Sequence, residues 1–244
     1  METITRVFLS FVFLCLVFQS CLLGYKSIDG NGEHVRTEFP ISDYNVIVLN
    51  LSADVIYNND SISAPYLQVY TDSNILPHIQ VVIEDHKLVI SSVEGANLRA
   101  TNFKIFTNSK TLETVNVNGS GRIRLKGEVN AKAMKIDISG SGSVLADSLY
   151  CEQIDLTISG SGKMELKGVS NHTDLNISGS GKIEALEFSS LEANATVSGS
   201  GCMVLSVGRK LDATVSGSGT IKYKGNLDIE DKKVFGSGNI SQMK

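Results

Sequence analysis

The phrase Gly-Ser-Gly recurs seven times between residue 119 and the C-terminus, starting at Gly119, Gly140, Gly160, Gly179, Gly199, Gly217 and Gly236. Neighbouring copies lie 21, 20, 19, 20, 18 and 19 residues apart. A period this constant marks a solenoid, in which each repeat buries its apolar side only by stacking on the next. The residues around the phrase show what kind. Two positions before each first glycine stand Val117, Ile138, Ile158, Ile177, Val197, Val215 and Val234, a ladder of β-branched residues. Two positions further back come Val115, Ile136, Leu156, Leu175, Ala195 and Ala213. Every second residue therefore points inward, the period of a strand. The alternate positions carry Asn116, Asp137, Thr157, Asn176, Thr196, Thr214 and Lys233. Four residues beyond the first glycine, Ile123, Val144, Met164, Ile183, Met203, Ile221 and Ile240 form a second apolar column.

Each coil thus holds at least two strands bent about a Gly-Ser-Gly corner. The pattern predicts an all-β fold, a single-stranded right-handed parallel β-helix with a strand-rich N-terminal entry module; parallel crossovers favour that hand. Glycine suits a corner stacked on its own copy, where a Cβ would clash or positive φ would be costly. The serine between the glycines is expected to join a hydroxyl ladder along the stack.

The first segment contains Arg6 and then a run from Val7 to Phe18 with only Ser10 polar. It is too short for a membrane-spanning helix and reads as a signal peptide over residues 1–20. Phe18-Gln19-Ser20-Cys21 resembles a bacterial lipobox with Phe where Leu is usual, which makes Cys21 the expected lipidation site; several acyl chains on one cysteine anchor firmly. Residues 21–38 are polar and glycine-bearing, and are expected to form a tether. Cys151 and Cys202 are 51 residues apart at different positions of their repeats, too far along a stack of strands about 4.8 Å apart to bridge.

The β-helix domain is expected over residues 39–244. Its first part, 39–100, reads as the entry module: Ile47, Leu49 and Leu51 share one face, and Val81-Val82-Ile83 and Leu88-Val89-Ile90 flank Glu84-Asp85-His86-Lys87 as a hairpin. The repeats occupy 101–244. At the far end, 239–244 has no evident cap, so the terminal strand edge is available for self-association.

Several motifs fall short of the chemistry they suggest. Gly160-Ser161-Gly162-Lys163 and Gly179-Ser180-Gly181-Lys182 are followed by Met164 and Ile183 where a phosphate loop needs Ser or Thr. The serine elbow of hydrolases requires Gly-x-Ser-x-Gly, and here the glycines adjoin the serine. Calcium-binding β-rolls place Asp after the glycines, where this chain has Ile, Val or Met. An acidic column five residues before the glycine, Asp155, Asp174, Asn194, Asp212 and Asp231, reads as a solvated face or, less simply, as a weak cation or glycan contact. His34, His78, His86 and His172 show no ligand spacing. Tyr150 and Tyr223 fall in different columns, so no aromatic sugar platform is indicated. With a net charge of -4 and no block of Lys or Arg, nucleic acid is not an expected partner. No catalytic residue, metal ligand or cofactor is assigned, and the ligand-binding residues stay unknown.

The repeated I-S-G-S-G-K-I-E and V-S-G-S-G-T-I-K-Y-K-G phrases, the closing V-F-G-S-G-N-I, and Asn45-Val46-Ile47-Val48 with Leu76-Pro77-His78-Ile79 resemble the putative auto-transporter adhesin head family, or head GIN domain family, over about residues 39–243. The resemblance implies a β-helical, exported or lipid-anchored protein of the Gram-negative envelope and carries no catalytic or binding residues. The expected function is a non-enzymatic outer-membrane lipoprotein serving as an adhesion or interaction module, membrane-bound through its N-terminal lipid. The alternative is a β-helix that binds or degrades polysaccharide.

Overall fold

The computed structural model describes residues 27–59, 63–93 and 96–243; the signal segment and Cys21 lie outside them. The N-terminal strands are β1 (Ser27–Asp29), β2 (His34–Phe39), β3 (Val46–Leu49), β4 (Asp54–Asn58), β5 (Leu67–Asp72), β6 (Ile79–Glu84), β7 (Lys87–Ser92), β8 (Asn97–Arg99) and β9 (Lys104–Thr107). The repeats supply β10 (Thr114–Gly119), β11 (Arg122–Gly140), β12 (Ser143–Gly160), β13 (Lys163–Gly179), β14 (Lys182–Gly199), β15 (Cys202–Gly217), β16 (Thr220–Lys224), β17 (Ile229–Gly236) and β18 (Asn239–Gln242). Together they form a β-solenoid of about six turns, with neighbouring coils paired in parallel.

The two apolar columns read from the sequence are the core. Val117, Ile138, Ile158, Ile177, Val197 and Val215 stack in register and are buried, as are Ile123, Val144, Met164, Ile183, Met203 and Ile221 on the strand after the corner. The corner repeats its geometry from coil to coil: the first glycine has φ between 110° and 124° in all seven copies. A Cβ on Gly160 would lie 2.5 Å from the carbonyl oxygen of Gly140 one coil below, and a Cβ on Gly162 would lie 2.6 Å from Cγ2 of Ile138. The corner is itself a hydrogen-bonded rung: the Ser161 amide donates to Gly140 O at 2.9 Å and the Lys163 amide to Gly142 O at 3.0 Å. Among the described residues the expected hydroxyl ladder is realised at one place, Ser52 Oγ to Ser120 Oγ at 2.6 Å. Ser141, Ser161, Ser180, Ser200 and Ser218 are exposed.

The variable repeat length is absorbed away from this corner. Register is continuous through every Gly-Ser-Gly and shifts on the opposite side of the coil, between Leu125 and Glu128, Ala146 and Leu149, Glu165 and Lys167, and Ala185 and Ser189. Extra residues enter there as bulges, which re-aim a strand without breaking its neighbours. Beyond the bulge, Ser170, Thr173 and Ser190 occupy inward positions and satisfy one another, with Ser170–Thr173 at 2.5 Å and Thr173–Ser190 at 2.6 Å.

The N-terminal part differs from a module added ahead of the stack. β3 lies in register beneath β10, and β4 beneath the first residues of β11. Residues 50–53 are therefore a first corner, with Leu51-Ser52-Ala53 in place of Gly-Ser-Gly. The next coil outward is formed by β7 and β9, which pair in parallel with β3 and β4. The chain thus lays down a coil, builds the one beneath it, and returns to stack β10 on top. The stack then ends on antiparallel strands, β6 on β7 and β5 on β9, with β2 on β5. The expected β6–β7 hairpin is present, its turn residues Asp85 and His86 at φ 50° and 59°, the positive values of a tight type I′ connection. Of the expected tether, residues 27–29 and 34–38 lie in strands β1 and β2, docked on β8 and β5. Their alternation is short and mostly polar, which hides them in sequence.

At the other end a cap exists that the sequence does not advertise. β17 stacks on β15 with Glu230 over Leu211 and Lys232 over Ala213, so two apolar columns finish in charge. Lys232 Nζ lies 2.9 Å from Glu230 Oε1 and 5.7 Å from the centre of the Tyr223 ring, and the Tyr223 hydroxyl bonds to Glu230. Charge at these positions disfavours the stacking of another apolar coil on the two columns, because a buried ion loses its water.

The corner geometry makes a sharp prediction. Gly160→Ala and Gly162→Ala should each cost at least about 1–3 kcal/mol, since neither methyl has room, whereas Ser161→Ala should stay within about 0.5 kcal/mol. Urea denaturation of the three variants, followed by circular dichroism, checks the contrast.

Candidate functional site

The inward columns are used up by packing, so chemistry must lie on the outward residues. Before the corner, Thr157, Asn176, Thr196 and Thr214 stand in register, followed by Ser159, Ser178, Ser198 and Ser216. Among the described residues these small uncharged groups make no side-chain hydrogen bond, and they form one face of the coil. The strand after the corner is ionic instead. Lys163 lies 2.6 Å from Glu184 and 3.2 Å from Glu165, and Lys182 lies 2.5 Å from Glu184. Hydrogen bonds from Lys163 and Lys182 hold the Glu184 carboxyl below its ordinary value, and Glu184 and Glu165 hold the Lys163 ammonium above its own. The two lysines that follow a Gly-Ser-Gly are thus tied up in ion pairs on a strand.

The third side carries a shallow groove of about 540 Å³, with Lys132, Glu152, Gln153, Asp155 and His172 around an apolar floor that includes Met134. His172 Nδ1 sits 3.2 Å from Glu192 Oε2, and Arg209 bonds to the same carboxylate. The acidic column is only partly a run of like charges: Lys135 begins it, Asn194 donates to Asp174 at 2.7 Å, and Lys233 meets Asp231 at 2.7 Å. Among the described residues no group of His, Cys, Asp and Glu is arranged to hold a metal ion. Cys151 and Cys202 are free thiols, and burial pushes Cys151 up to about 11. Tyr150 is exposed beside Val169 on the adjoining strand, while Tyr223 belongs to the terminal plug.

The sequence does not single out one buried carboxylate. Asp72, fully buried, accepts from the Gly32 amide at 2.8 Å, the Thr101 amide at 2.7 Å and the Thr101 hydroxyl at 2.7 Å. His34 Nε2 lies 3.9 Å away. Burial disfavours the charged form, but the Thr101 and Gly32 hydrogen bonds and His34 outweigh it, so the carboxyl is held below its ordinary value. Every group that satisfies Asp72 belongs to this chain, and its role is to clasp the arm at residues 27–39 to the loop at 101. These partners stand 29 to 40 residues away in sequence, so no local motif could reveal them.

With this geometry in hand, comparison with known proteins is decisive about kinship. A family model described as putative auto-transporter adhesin, head GIN domain, matches residues 43–226. The chain belongs to that family. Its solved relatives include a putative adhesin from Bacteroides fragilis, 26% identical over 88% of this chain and 100% of the relative, with a TM-score of 0.84. A putative lipid binding protein from Parabacteroides distasonis is 30% identical over 90% and 100%, at a TM-score of 0.77. A putative adhesin from Parabacteroides merdae is 26% identical over 90% and 100%, at 0.73. Comparison with curated proteins returns no match. The head GIN match begins at Asp43, just before β3, and ends at Asn226, just before β17. It therefore leaves out the clasped arm and the strands of the terminal coil.

The Asp72 clasp predicts an acid-sensitive step. Because the folded-state carboxyl titrates lower than the unfolded one, its contribution is complete above the unfolded value of about 4 and fades as pH falls through the lower folded value. Asp72→Asn should lose about 1–3 kcal/mol at pH 7 through disrupted buried bonds, and should flatten the acid limb of a stability-against-pH curve measured by chemical denaturation.

Proposed function

We propose that this head GIN domain protein is an exported, lipid-anchored, non-enzymatic adhesion module of the cell envelope, with Cys21 as the acylated residue. The observation that carries the reading is the division of labour within the repeats: Gly-Ser-Gly corners and inward columns are spent on packing, while the outward ranks Thr157 to Thr214 and Ser159 to Ser216 recur in register and make no side-chain hydrogen bond among the described residues. A rigid rod displaying repeated polar groups suits multivalent contact, where many weak interactions sum. Kinship with proteins described as adhesins supports the same direction, as does the short apolar N-terminal run ending at Cys21. No cofactor is required by this reading, and no nucleic acid is involved.

A second reading has one observation in its favour. The groove beside Glu152, Asp155 and His172 is large enough for part of an oligosaccharide and carries both signs of charge. It supports a polysaccharide-binding or polysaccharide-degrading protein. The description of one relative as lipid-binding adds lipids to the ligands worth screening.

Two measurements separate these readings. The protein is expected to bind specific members of a glycan and matrix-protein array without releasing reducing ends from any polysaccharide it retains; appearance of reducing ends would replace adhesion with catalysis. Cys21→Ala is expected to abolish incorporation of labelled fatty acid and to shift the protein out of the membrane fraction. Undiminished labelling of that variant would remove the anchor.

A further inference from the structure

The terminal coil breaks the outward pattern of the coils beneath it. Where Ser139, Ser159, Ser178, Ser198 and Ser216 stand one residue before the corner, β17 has Phe235, 63% exposed. Where those coils place Asp, Thr or Asn three residues before it, β17 has Lys233. Ile229 is 56% exposed and Val234 43%, although every residue beneath Val234 in its column is buried. Among the described residues β17 pairs only with β15, so one edge of its backbone is open to another strand.

The outward residues of β17 are Ile229, Asp231, Lys233 and Phe235. Read backwards, this set matches itself: apolar against apolar, acid against base. We propose that β17 is a homotypic tip, pairing antiparallel with β17 of a second copy about a two-fold axis at Lys232. Asp231 then faces Lys233 of the second copy, and Ile229 faces Phe235 of the second copy, each pair occurring twice. Directly opposed charges of opposite sign and opposed apolar residues are the favourable cross-strand pairs of an antiparallel sheet. Moving the centre to Asp231 opposes two aspartates and sets Ile229 against a lysine. Moving it to Lys233 sets Asp231 against Phe235 and removes both acid–base pairs. A one-residue slip is excluded because it joins the inside of one sheet to the outside of the other.

The inward residues keep the contact weak. Lys232 meets its own image at the axis, each copy held by its own Glu230 at 2.9 Å, so the two cores do not fuse and the joint is an edge contact. A weak contact of this kind suits a crowded surface, where multiplicity supplies the strength. The arm at residues 27–39 lies against β5 and β8, at the opposite end of the rod from β17. Joining two tips therefore points the two N-terminal arms away from each other. Resting on the adhesion reading above, this makes the ligand a second copy of the chain on a facing membrane.

Site-specific disulfide formation tests the register. The full chain, purified with detergent present and with Cys151 and Cys202 replaced by alanine, is oxidised after introducing single cysteines. Across the axis the Cα separation is about 4.5–5.5 Å, inside the disulfide range of about 4.4–6.8 Å. Lys232→Cys should cross-link to itself. Ile229→Cys and Phe235→Cys, whose images lie roughly 20 Å apart, should cross-link only when the two variants are mixed. Adding Asp231→Lys to Lys232→Cys should slow the cross-link at least tenfold, and the double exchange Asp231→Lys with Lys233→Asp should restore it, with urea midpoints confirming that all variants fold. Absence of the 232 cross-link, or indifference to the charge exchange, overturns the pairing. Clustering of protein-coated beads is read separately: clustering that ignores Asp231→Lys keeps adhesion and removes the homotypic tip, whereas a charge-sensitive cross-link without clustering keeps the tip and removes adhesion between surfaces.

Discussion

The structure depends on one contact repeated along its axis: the backbone of each Gly-Ser-Gly corner sits directly on the corner below. The Ser161 amide reaches Gly140 O at 2.9 Å, and at that distance a Cβ on Gly160 would meet the same oxygen at 2.5 Å. The second glycine answers a different neighbour, the β-branched residue two positions before the previous corner, as Gly162 does with Ile138. The two sequence features, a glycine pair and a Val/Ile ladder, are halves of one steric fit. Close backbone approach lets both groups hydrogen-bond without water, and it fixes the register that all other columns inherit. The variation in repeat length is consequently forced to the far side of the coil, where bulges tolerate it.

How much of this is legible in sequence follows from that contact. Columns counted from the glycines fall where expected because register never slips there; Val117 to Val215 and Ile123 to Ile221 are core. The first corner is invisible because Leu51-Ser52-Ala53 carries no phrase to count from, although Ser52 Oγ still meets Ser120 Oγ at 2.6 Å. The order of the first coils is hidden for a topological reason. Stacking β10 on β3 leaves β7 and β9 to the outside, and a linear reading supposes that sequence order is stacking order. The clasp at Asp72 escapes because its partners come from two distant segments, the arm at 27–39 and the loop at Thr101, and short polar strands such as β2 resemble a linker.

The candidate surfaces are less legible than the core, and the cause is again physical. Packing constrains an inward residue through many neighbours at once, so type and spacing reveal it. An outward residue touches little, and its meaning lies in which others the fold brings beside it. Lys132, Glu152 and His172 share one groove because three coils stack there, and no motif links them in the chain. Tyr150 and Val169 are likewise adjacent through strand pairing.

The ends of the rod show how a repeating fold limits itself. A solenoid whose every coil can accept another has no intrinsic length, and its open apolar columns invite aggregation. Here the two ends use different chemistry. At the N-terminal end the parallel strands β7 and β9 are followed by antiparallel β6, β5 and β2, and Asp72 locks the arm that lies on β5. At the far end the edge of β17 stays open while Glu230, Lys232 and Tyr223 close two core columns with charge and a ring. Burying that network beneath another apolar coil would strip water from both ions, a cost their mutual attraction offsets only in part. The plug therefore prevents indefinite growth of the core without blocking an edge-to-edge contact. A rod finished in this way has one end of antiparallel strands with a clasped arm, on the side of the chain leading toward Cys21, and one end with a surface unlike that of any coil beneath it.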